Sequence, residues 1–239
     1  MRNIVLLSGG LDSFYALHLA NKNSHSTRAL FFNYGQITSN LELNAAKAMC
    51  DLLNCELLTI DLTTNNLSFL FKSDYTNSKN TDKNPNTFNS TVINRNLLFI
   101  TMAYNMAILD GFNTIYTGIC QNLHKSIKNR VKAIIDAENS YGIFGIVADQ
   151  TTLFAKKSEE LLNYLNPEHN VKIKHPALFE HKSYIYTYFY KQGLIDFTID
   201  TAYSCFYGES IKFSWGIGCE KCVPCKTRKN AYEFYLLSK

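Results

Sequence analysis

Six residues near the start of the chain, Ser8-Gly9-Gly10-Leu11-Asp12-Ser13, restrict its fold more than any other stretch. The apolar run at residues 4–7 predicts a buried strand before them, and apolar residues at helical spacing follow them. Where a strand turns through two glycines into a helix, the backbone amides and the helix dipole favour a bound oxyanion. A carboxylate in such a turn, here Asp12, requires a cation such as Mg²⁺ between itself and a phosphate.

The turn lacks the Gly-Lys-Ser/Thr ending of a Walker loop and the third glycine of a dinucleotide fingerprint. It resembles the Ser-Gly-Gly-x-Asp-Ser loop of the ATP pyrophosphatase superfamily, whose members split ATP between its α and β phosphates and adenylate a second substrate. The alternative is an ordinary strand-to-helix turn that carries glycine and serine. The resemblance implies that Asp12 and Ser13 act in catalysis and that ATP is bound by Ser8, Gly9, Gly10, Leu11, Asp12 and Ser13.

The length of 239 residues and the hydrophobic content of 46% allow one large α/β domain, with or without a small appendage. The net charge of +4 is spread along the chain and predicts no extended nucleic-acid surface. The sequence has neither a secretory signal nor an apolar run of the roughly 18 to 20 residues that a bilayer requires. The expected location is therefore the cytoplasm, without membrane attachment.

Apolar runs alternate with amphipathic helical patterns along residues 1–200. Strands are expected at residues 4–7, 28–34, 56–61, 113–118 and 171–175, with helices between them. This alternation predicts a Rossmann-like α/β domain with a parallel sheet, helices on both faces and a ligand beyond the carboxyl ends of the strands. Residues 72–91 are expected to form a polar loop, and residues 119–150 a variable insert with a short basic helix at 125–135.

Four of the seven cysteines lie in a C-terminal segment, residues 201–239, that we expect to form a small module packed on the larger domain. They are Cys205, Cys219, Cys222 and Cys225. Their spacing predicts a tetrahedral zinc site that is structural, because four thiolates leave no open coordination position. An iron–sulfur cluster or redox-active thiols would use the same ligands. A final helix is expected at residues 230–237, and ordinary buried thiols are expected at Cys50, Cys55 and Cys120.

The opening turn and the cysteine cluster together resemble the 7-cyano-7-deazaguanine synthase family, from about residue 2 to residue 232. Phe32-Asn33-Tyr34-Gly35-Gln36 is similar to the family's Phe-x-Tyr-Gly-Gln. Pro85-Asn86-Thr87-Phe88 with Asn94-Arg95-Asn96 is similar to its stretch leading to Gly-Arg-Asn. Further matches are Thr117-Gly118, His175-Pro176 with Lys182, and Ser204-Cys205-Phe206-Tyr207-Gly208. The implied fold is that of the adenine nucleotide alpha hydrolases.

The resemblance implies an ATP-dependent ligase of queuosine biosynthesis. Its substrates would be 7-carboxy-7-deazaguanine, ammonia and ATP, and its products the nitrile, AMP and pyrophosphate, by way of an adenylated acid and an amide. Lys182 is the implied catalytic lysine for the departing pyrophosphate, and a solvated lysine is the alternative. Arg95 would bind phosphate or the substrate carboxylate, or else form a structural ion pair. The implied substrate pocket comprises Tyr34, Gln36, Arg95, Asn96, Gly118 and Asp149.

One stretch departs from the family pattern. After the fourth strand the family carries Asp-x-Ser-Gly-Tyr-Pro-Asp-Cys-Arg, whereas this chain continues Cys120-Gln121-Asn122-Leu123 and is longer, with Asp149 as the candidate for the second aspartate. Three hypotheses follow: a synthase with a rebuilt pocket wall, a relative that joins a deazaguanine acid to an amine of a protein or other macromolecule, and a non-catalytic nucleotide-binding module. In the second, the acceptor would contact the basic segment Lys125, Lys128, Arg130 and Lys132. Members of the family often pair as homodimers.

Overall fold

The computed structural model describes residues 1–64, 67–76, 91–120 and 148–238. Five strands form one sheet in the order β3-β2-β1-β4-β5. They are β1 (Arg2–Leu6), β2 (Ser26–Asn33), β3 (Glu56–Asp61), β4 (Thr114–Thr117) and β5 (Lys172–Lys174). Every neighbouring pair runs parallel, which confirms the predicted parallel α/β sheet.

A helix lies between each pair of strands that follow one another in sequence, as predicted, and three more follow the last strand of the sheet. They are α1 (Leu11–Lys22), α2 (Ser39–Leu53), α3 (Arg95–Asp110), α4 (Thr152–Leu165), α5 (Lys182–Lys191), α6 (Ile195–Thr201) and α7 (Val223–Leu237). Short 3₁₀ turns occupy Leu67–Phe71, Asp74–Thr76 and Ala148–Gln150. Among the residues described, no helix is both long and apolar enough to cross a membrane.

The sheet divides the apolar core into two layers because successive strand residues point to opposite faces. Val5 of β1 packs in a layer with residues of α1, α2 and α5, whereas its neighbour Ile4 packs in a second layer with residues of α3 and α4. In β2, Phe31 belongs to the first layer and Phe32 to the second. Helices therefore cover both faces, and binding is left to the strand ends.

The C-terminal segment, residues 201–239, begins where α6 ends and contains a hairpin of β6 (Ile211–Phe213) and β7 (Gly216–Gly218), followed by α7. The predicted start of the last helix, residue 230, is wrong, since α7 begins at Val223. Pro224 stands in the first turn, where a helix needs no backbone N–H. Cys225 consequently lies on a helix and not in a turn.

Several expectations fall on residues outside the described ranges. They are the basic helix at 125–135 with Lys125, Lys128, Arg130 and Lys132, most of the insert at 119–150, and the stretch Pro85-Asn86-Thr87-Phe88. The polar loop expected at 72–91 is described only at its two ends. Its first part includes the turn Asp74–Thr76, in which Tyr75 is buried.

Candidate active site and four-cysteine centre

A cleft of about 510 Å³ opens at the carboxyl ends of the central strands, next to the opening turn. It brings together most of the residues that the sequence singled out. The lining includes Ser8, Gly10, Leu11, Asp12, Ser13, Tyr34, Gln36, Arg95, Asn96, Gly118, Asp149 and Lys182. The C-terminal segment supplies another wall through Tyr203, Ser204, Phe206, Tyr207, Cys222, Val223, Pro224, Thr227 and Arg228.

The turn before α1 requires glycine at residue 9. Gly9 has φ +76°, and a Cβ there would lie 2.4 Å from the backbone oxygen of Glu42. The Gly9 carbonyl accepts a hydrogen bond from the Tyr203 amide at 2.8 Å, which ties the turn to the C-terminal segment. Gly10 is the N-cap of α1 and forms no side-chain cap, so the first amides of the helix face the cleft without a capping side chain.

The Ser13 hydroxyl stabilises the turn through hydrogen bonds. Its hydroxyl donates to the Gly10 carbonyl at 3.0 Å and accepts from the Ser8 amide at 3.3 Å and the Ser8 hydroxyl at 3.1 Å. The Ser13 side chain is buried, with 5% of the residue exposed. These bonds hold the two ends of the turn together at the mouth of the first helix.

Gly118, at the end of β4, touches the backbone of the same turn. A Cβ at this position would lie 2.6 Å from the Ser13 nitrogen and 2.7 Å from the Ser13 Cα. Contacts that short do not occur with real side chains, so residue 118 must be glycine for β4 and α1 to approach. Gly118 therefore sets the spacing between the turn and the neighbouring strand.

Lys182, the first residue of α5, forms a hydrogen-bonded ion pair with Asp12. Their side chains are 12% and 19% exposed, which contradicts the alternative of a solvated lysine. Burial alone would lower the pKa of Lys182, but the charge of Asp12 outweighs it and raises that pKa above its ordinary value. The second carboxylate oxygen of Asp12, Oδ1, is buried and has no hydrogen-bond partner.

The sequence predicted that Cys120 is an ordinary buried thiol. In the structure it also contacts charged side chains. Its Sγ lies 3.4 Å from Lys182 Nζ and 3.5 Å from Asp12 Oδ2, on the lining of the cleft. Burial and then the charge of Asp12 raise the pKa of the Cys120 thiol to about 11, so the thiol is protonated at neutral pH. Its place two residues after Gly118, just past the end of β4, is the sequence signal that points to the cleft.

The opposite end of the cleft holds the other predicted pocket residues. Arg95 Nη1 donates to the Tyr34 hydroxyl at 2.8 Å, and burial raises the pKa of Tyr34 to about 12. The side-chain nitrogen of Asn96, Nδ2, donates to the backbone carbonyl of Asp149 at 3.4 Å. Burial also raises the pKa of the Asp149 carboxyl, whose Oδ1 has no hydrogen-bond partner. Arg95 and Asp149 therefore offer a ligand a cation and one carboxylate oxygen without a hydrogen-bond partner.

Asn94 explains one departure from the family motif, in which glycine precedes Arg-Asn. It is the N-cap of α3 and has φ +56°, in the left-handed region. Asparagine enters that region more readily than other residues with a side chain. The backbone that aims Arg95 and Asn96 at the cleft is therefore kept without glycine.

Gln36 is part of the wall through its own internal bonds. Its Oε1 accepts from the Tyr34 amide at 2.9 Å, and its Nε2 donates to the Phe32 carbonyl and to Glu42 Oε2, both at 3.1 Å. Sequence reasoning missed two residues that complete this wall, Glu42 and Tyr75. The Glu42 carboxylate accepts hydrogen bonds from Thr38 and from the buried hydroxyl of Tyr75. Nothing in their local pattern distinguishes them from helix and loop residues.

His175 follows β5 and is coupled to the strand end beside it. Thr117 Oγ1 accepts from the Ile119 amide at 3.3 Å and can then donate to His175 Nδ1 at 2.7 Å. Burial lowers the pKa of His175 from 6.5 to about 4, and its Nε2 has no partner. The folded protein thus holds this imidazole neutral.

We expect His175 to make stability fall as the pH falls from about 6.5 to about 4. Between these pH values His175 binds a proton in the unfolded chain but not in the folded chain. This lowers the free energy of unfolding by up to about 3 kcal/mol. Below pH 4 both states are protonated, so no further loss arises from this residue. Urea unfolding of the wild type and of His175→Asn at several pH values measures it. An unfolding free energy with the same pH slope in both proteins would contradict the assignment.

The four predicted cysteine ligands lie together in the C-terminal segment. Cys205, Cys219, Cys222 and Cys225 are all buried, and their sulfurs lie within 4.8 Å of one another. The sulfurs of Cys219 and Cys225 are 3.9 Å apart. A tetrahedral metal with Zn–S bonds of about 2.3 Å requires sulfurs about 3.8 Å apart, so this donor set fits a closed metal site.

Charge within the cluster is shared unevenly. Hydrogen bonds from Cys222 and Cys225 lower the pKa of Cys205, whereas the bond with Cys205 raises the pKa of Cys222. Four thiolates this close repel one another strongly unless a cation lies between them. The chemistry of these donors is therefore that of a metal site.

Known proteins are similar to this chain over nearly all of its length. The 7-cyano-7-deazaguanine synthase of Clostridium botulinum strain Langeland is 31% identical over 243 residues, covering 98% of this chain and 97% of the relative. The Helicobacter pylori 26695 protein of that name is 29% identical and covers 99% and 97%. A crystal structure described as a 4-thiouridine synthetase–RNA complex with bound ATP has a TM-score of 0.49 at 15% identity. It matches 99% of this chain, which spans about half of the other.

A family model points to the same group. The model described as queuosine biosynthesis protein QueC matches residues 2–140 and 130–236. It therefore covers both the opening turn and the cysteine cluster, which were the two ends of the predicted resemblance. The prediction of an ATP-dependent enzyme of this group is confirmed, and the chain belongs to the family of queuosine biosynthesis protein QueC.

Proposed function

We propose that this chain activates the carboxyl group of 7-carboxy-7-deazaguanine with ATP and converts it to the nitrile with ammonia. The carboxylate would attack the α phosphorus of ATP and release pyrophosphate. Ammonia would displace AMP to give an amide. A second ATP would adenylate the amide oxygen with release of pyrophosphate, and loss of AMP, which carries that oxygen away, together with protons from the nitrogen would give 7-cyano-7-deazaguanine. This is the activity named for the Clostridium botulinum and Helicobacter pylori relatives.

One observation carries the proposal: the opening turn, the ion pair Asp12–Lys182, and the side chains of Arg95 and Asp149 line one cleft. The amides at the start of α1 suit the β and γ phosphates, since a helix N-terminus favours an anion. Lys182 would move from Asp12 to the departing pyrophosphate and stabilise its charge. Ser13 would keep the turn in shape while this charge forms.

The donor set at the turn also suits Mg²⁺. Asp12 Oδ1 is buried without a partner, and an unpaired carboxylate oxygen beside a phosphate-binding turn is a ligand that Mg²⁺ prefers. When bound, the ion would neutralise phosphate charge and make pyrophosphate a better leaving group. Asp12 would then exchange one cationic partner, Lys182, for another.

At the other end of the cleft, the charges suit an acid with a guanine-like ring. Arg95 offers N–H donors to the substrate carboxylate, in the bidentate manner that guanidinium groups favour. Asp149 offers an unpaired buried oxygen to the N–H groups of the ring edge. Asn96, Gln36 and Tyr34 would complete the pocket, and Gly118 would separate it from the phosphates.

The four cysteines would hold one structural Zn²⁺. We expect about one zinc ion per chain in protein purified without chelators. Because binding to a closed site is coupled to folding, removing the metal should lower the melting temperature by several degrees. Metal analysis and thermal unfolding before and after treatment with a strong chelator measure this. A metal content well below one per chain, or an unchanged melting temperature after complete removal, would contradict the zinc site.

The proposed reaction is tested with purified protein, ATP, Mg²⁺, ammonium and 7-carboxy-7-deazaguanine. We expect AMP and pyrophosphate to form only when the acid is present, and mass spectrometry to detect the amide and then the nitrile. ADP as the nucleotide product would overturn the proposal. AMP formation together with a deazaguanine mass on a protein would replace ammonia by a macromolecular amine as the acceptor.

A further inference from the structure

Arg228 is a cation buried inside the C-terminal segment, with 2% of its surface exposed. Its Nη1 donates to the Ala202 carbonyl at 2.7 Å and to Ser204 Oγ at 3.3 Å, and its Nη2 to the Trp215 carbonyl at 3.5 Å. All three acceptors are neutral, and Nε has no hydrogen-bond partner. Burying a guanidinium is costly unless a negative charge compensates it.

No carboxylate supplies that charge within the part of the chain that the structure describes. The ion pairs found there join other residues, including Lys229 with Glu220 in the same segment and Lys212 with Asp200 just before it. Arg228 also borders the cleft, and its Cζ lies 5.6 Å from the centroid of the Trp215 ring, but neither contact supplies a net negative charge within the protein. Cys225 lies three residues before Arg228 on the same helix and belongs to the cysteine cluster, whose thiols become anionic when they bind a metal.

The backbone places Arg228 and the cluster in one layer. Arg228 follows Cys225 by three residues on α7, so the two side chains lie on the same face of that helix. Strand β7 covers both: a Cβ at Gly216 would lie 2.2 Å from Arg228 Nη2, and a Cβ at Gly218 would lie 2.4 Å from Cys225 Sγ. Residues 216 and 218 share a strand face, so the guanidinium and the sulfur lie side by side beneath it.

Four thiolates around a divalent ion leave a net charge of about −2 in a buried place. Two other basic residues near the cysteines, Lys221 and Lys226, are exposed and are screened by water. We propose that Arg228 is the buried counter-charge of the metal-loaded cysteine cluster, and so a positioning residue for the metal. This rests on the proposed metal site. It assigns to one side chain the charge that the four ligands require.

The test is the Zn²⁺ affinity of the full-length chain, measured by competition with a chromophoric chelator. Arg228→Gln removes the charge and keeps a polar side chain, and Arg228→Lys keeps the charge. We expect Arg228→Gln to weaken Zn²⁺ binding by about tenfold or more, the range typical of residues that support metal ligands, and Arg228→Lys to stay within about threefold of the wild type. The matched control, Lys226→Met, removes an exposed charge and should change the affinity less than twofold.

A second background separates charge from packing. Cys219→His replaces a thiolate by a neutral ligand, so the loaded site carries one negative charge fewer. The loss caused by Arg228→Gln should shrink by at least about threefold in that background, because less charge remains to be balanced. A purely structural role would give the same loss in both backgrounds and would overturn the proposal.

The outcomes also separate this inference from the metal site itself. A wild-type chain that binds no Zn²⁺ removes both. If the wild type binds Zn²⁺ tightly and Arg228→Gln binds it equally well, only the counter-charge role of Arg228 is rejected. Should Arg228→Gln not fold, Arg228→Lys decides: affinity near that of the wild type supports the charge, and a tenfold loss overturns it.

Discussion

Replacing Asp12 by alanine is expected to lower ATP-dependent turnover by at least about a thousandfold. The variant loses the carboxylate that the proposed Mg²⁺ would bind, and it leaves Lys182 without the partner that it has in the cleft. Initial rates of pyrophosphate release with saturating ATP and acid measure the effect. Unchanged turnover would reject the role given to this carboxylate.

The loss must be separated from unfolding, because breaking a buried ion pair can cost about 3 to 5 kcal/mol. Asp12→Ala/Lys182→Met removes both charges and should be more stable than Asp12→Ala alone, while remaining inactive. Asp61→Asn is the matched control: it neutralises an exposed carboxylate at the end of β3. We expect that control to keep its activity within about twofold. Circular dichroism and urea unfolding verify that each variant is folded.

Gly118→Ala is expected to lower turnover by about a hundredfold and stability by roughly 1 to 3 kcal/mol. The added methyl group would lie 2.6 Å from the Ser13 nitrogen, so either β4 or the opening turn must move. A shift of about 1 Å in a group that positions a substrate is sufficient for such a loss. Turnover and urea unfolding of the same preparation measure the two effects.

Gly193→Ala provides the comparison. Gly193 has φ +71°, and a Cβ there would meet nothing within 4 Å. This variant therefore carries the cost of a side chain in the left-handed region, about 1 kcal/mol, without a collision at the cleft. We expect it to lose some stability and no activity. Equal activities of the two variants would contradict the importance of the contact between Gly118 and Ser13.

Local patterns predicted most of the fold. β1 and β2 are short apolar runs, and the helices between the strands bury apolar residues, so periodicity indicated the order of these elements. The opening turn was visible for a similar reason, because glycine at positive φ and a helix start are local features. The start of α7 was missed because Cys225, Thr227 and Asn230 are poor helix formers, although Pro224 is a residue typical of a first helical turn.

The candidate site was harder because its parts are distant in sequence. Asp12 and Lys182 are separated by 170 residues, and only the family resemblance suggested that both belong to one site. Glu42 and Tyr75 carried no such signal, and Cys120 carried only its position just past the end of β4, so their roles in the walls emerge from packing. Periodicity says which side of an element is buried, but not which residues of another element it will meet.

The hydrogen bond between the Tyr203 amide and the Gly9 carbonyl joins the two ends of the chain at the cleft. Roughly 200 residues must be synthesised between them, which takes about 10 to 40 s at ribosomal speed. The first strand and helix can form early, but the wall contributed by the C-terminal segment arrives last. A nascent chain that has not reached residue 203 therefore lacks the partner of the Gly9 carbonyl, and the cleft has all of its walls only after residues 203–228 have been added.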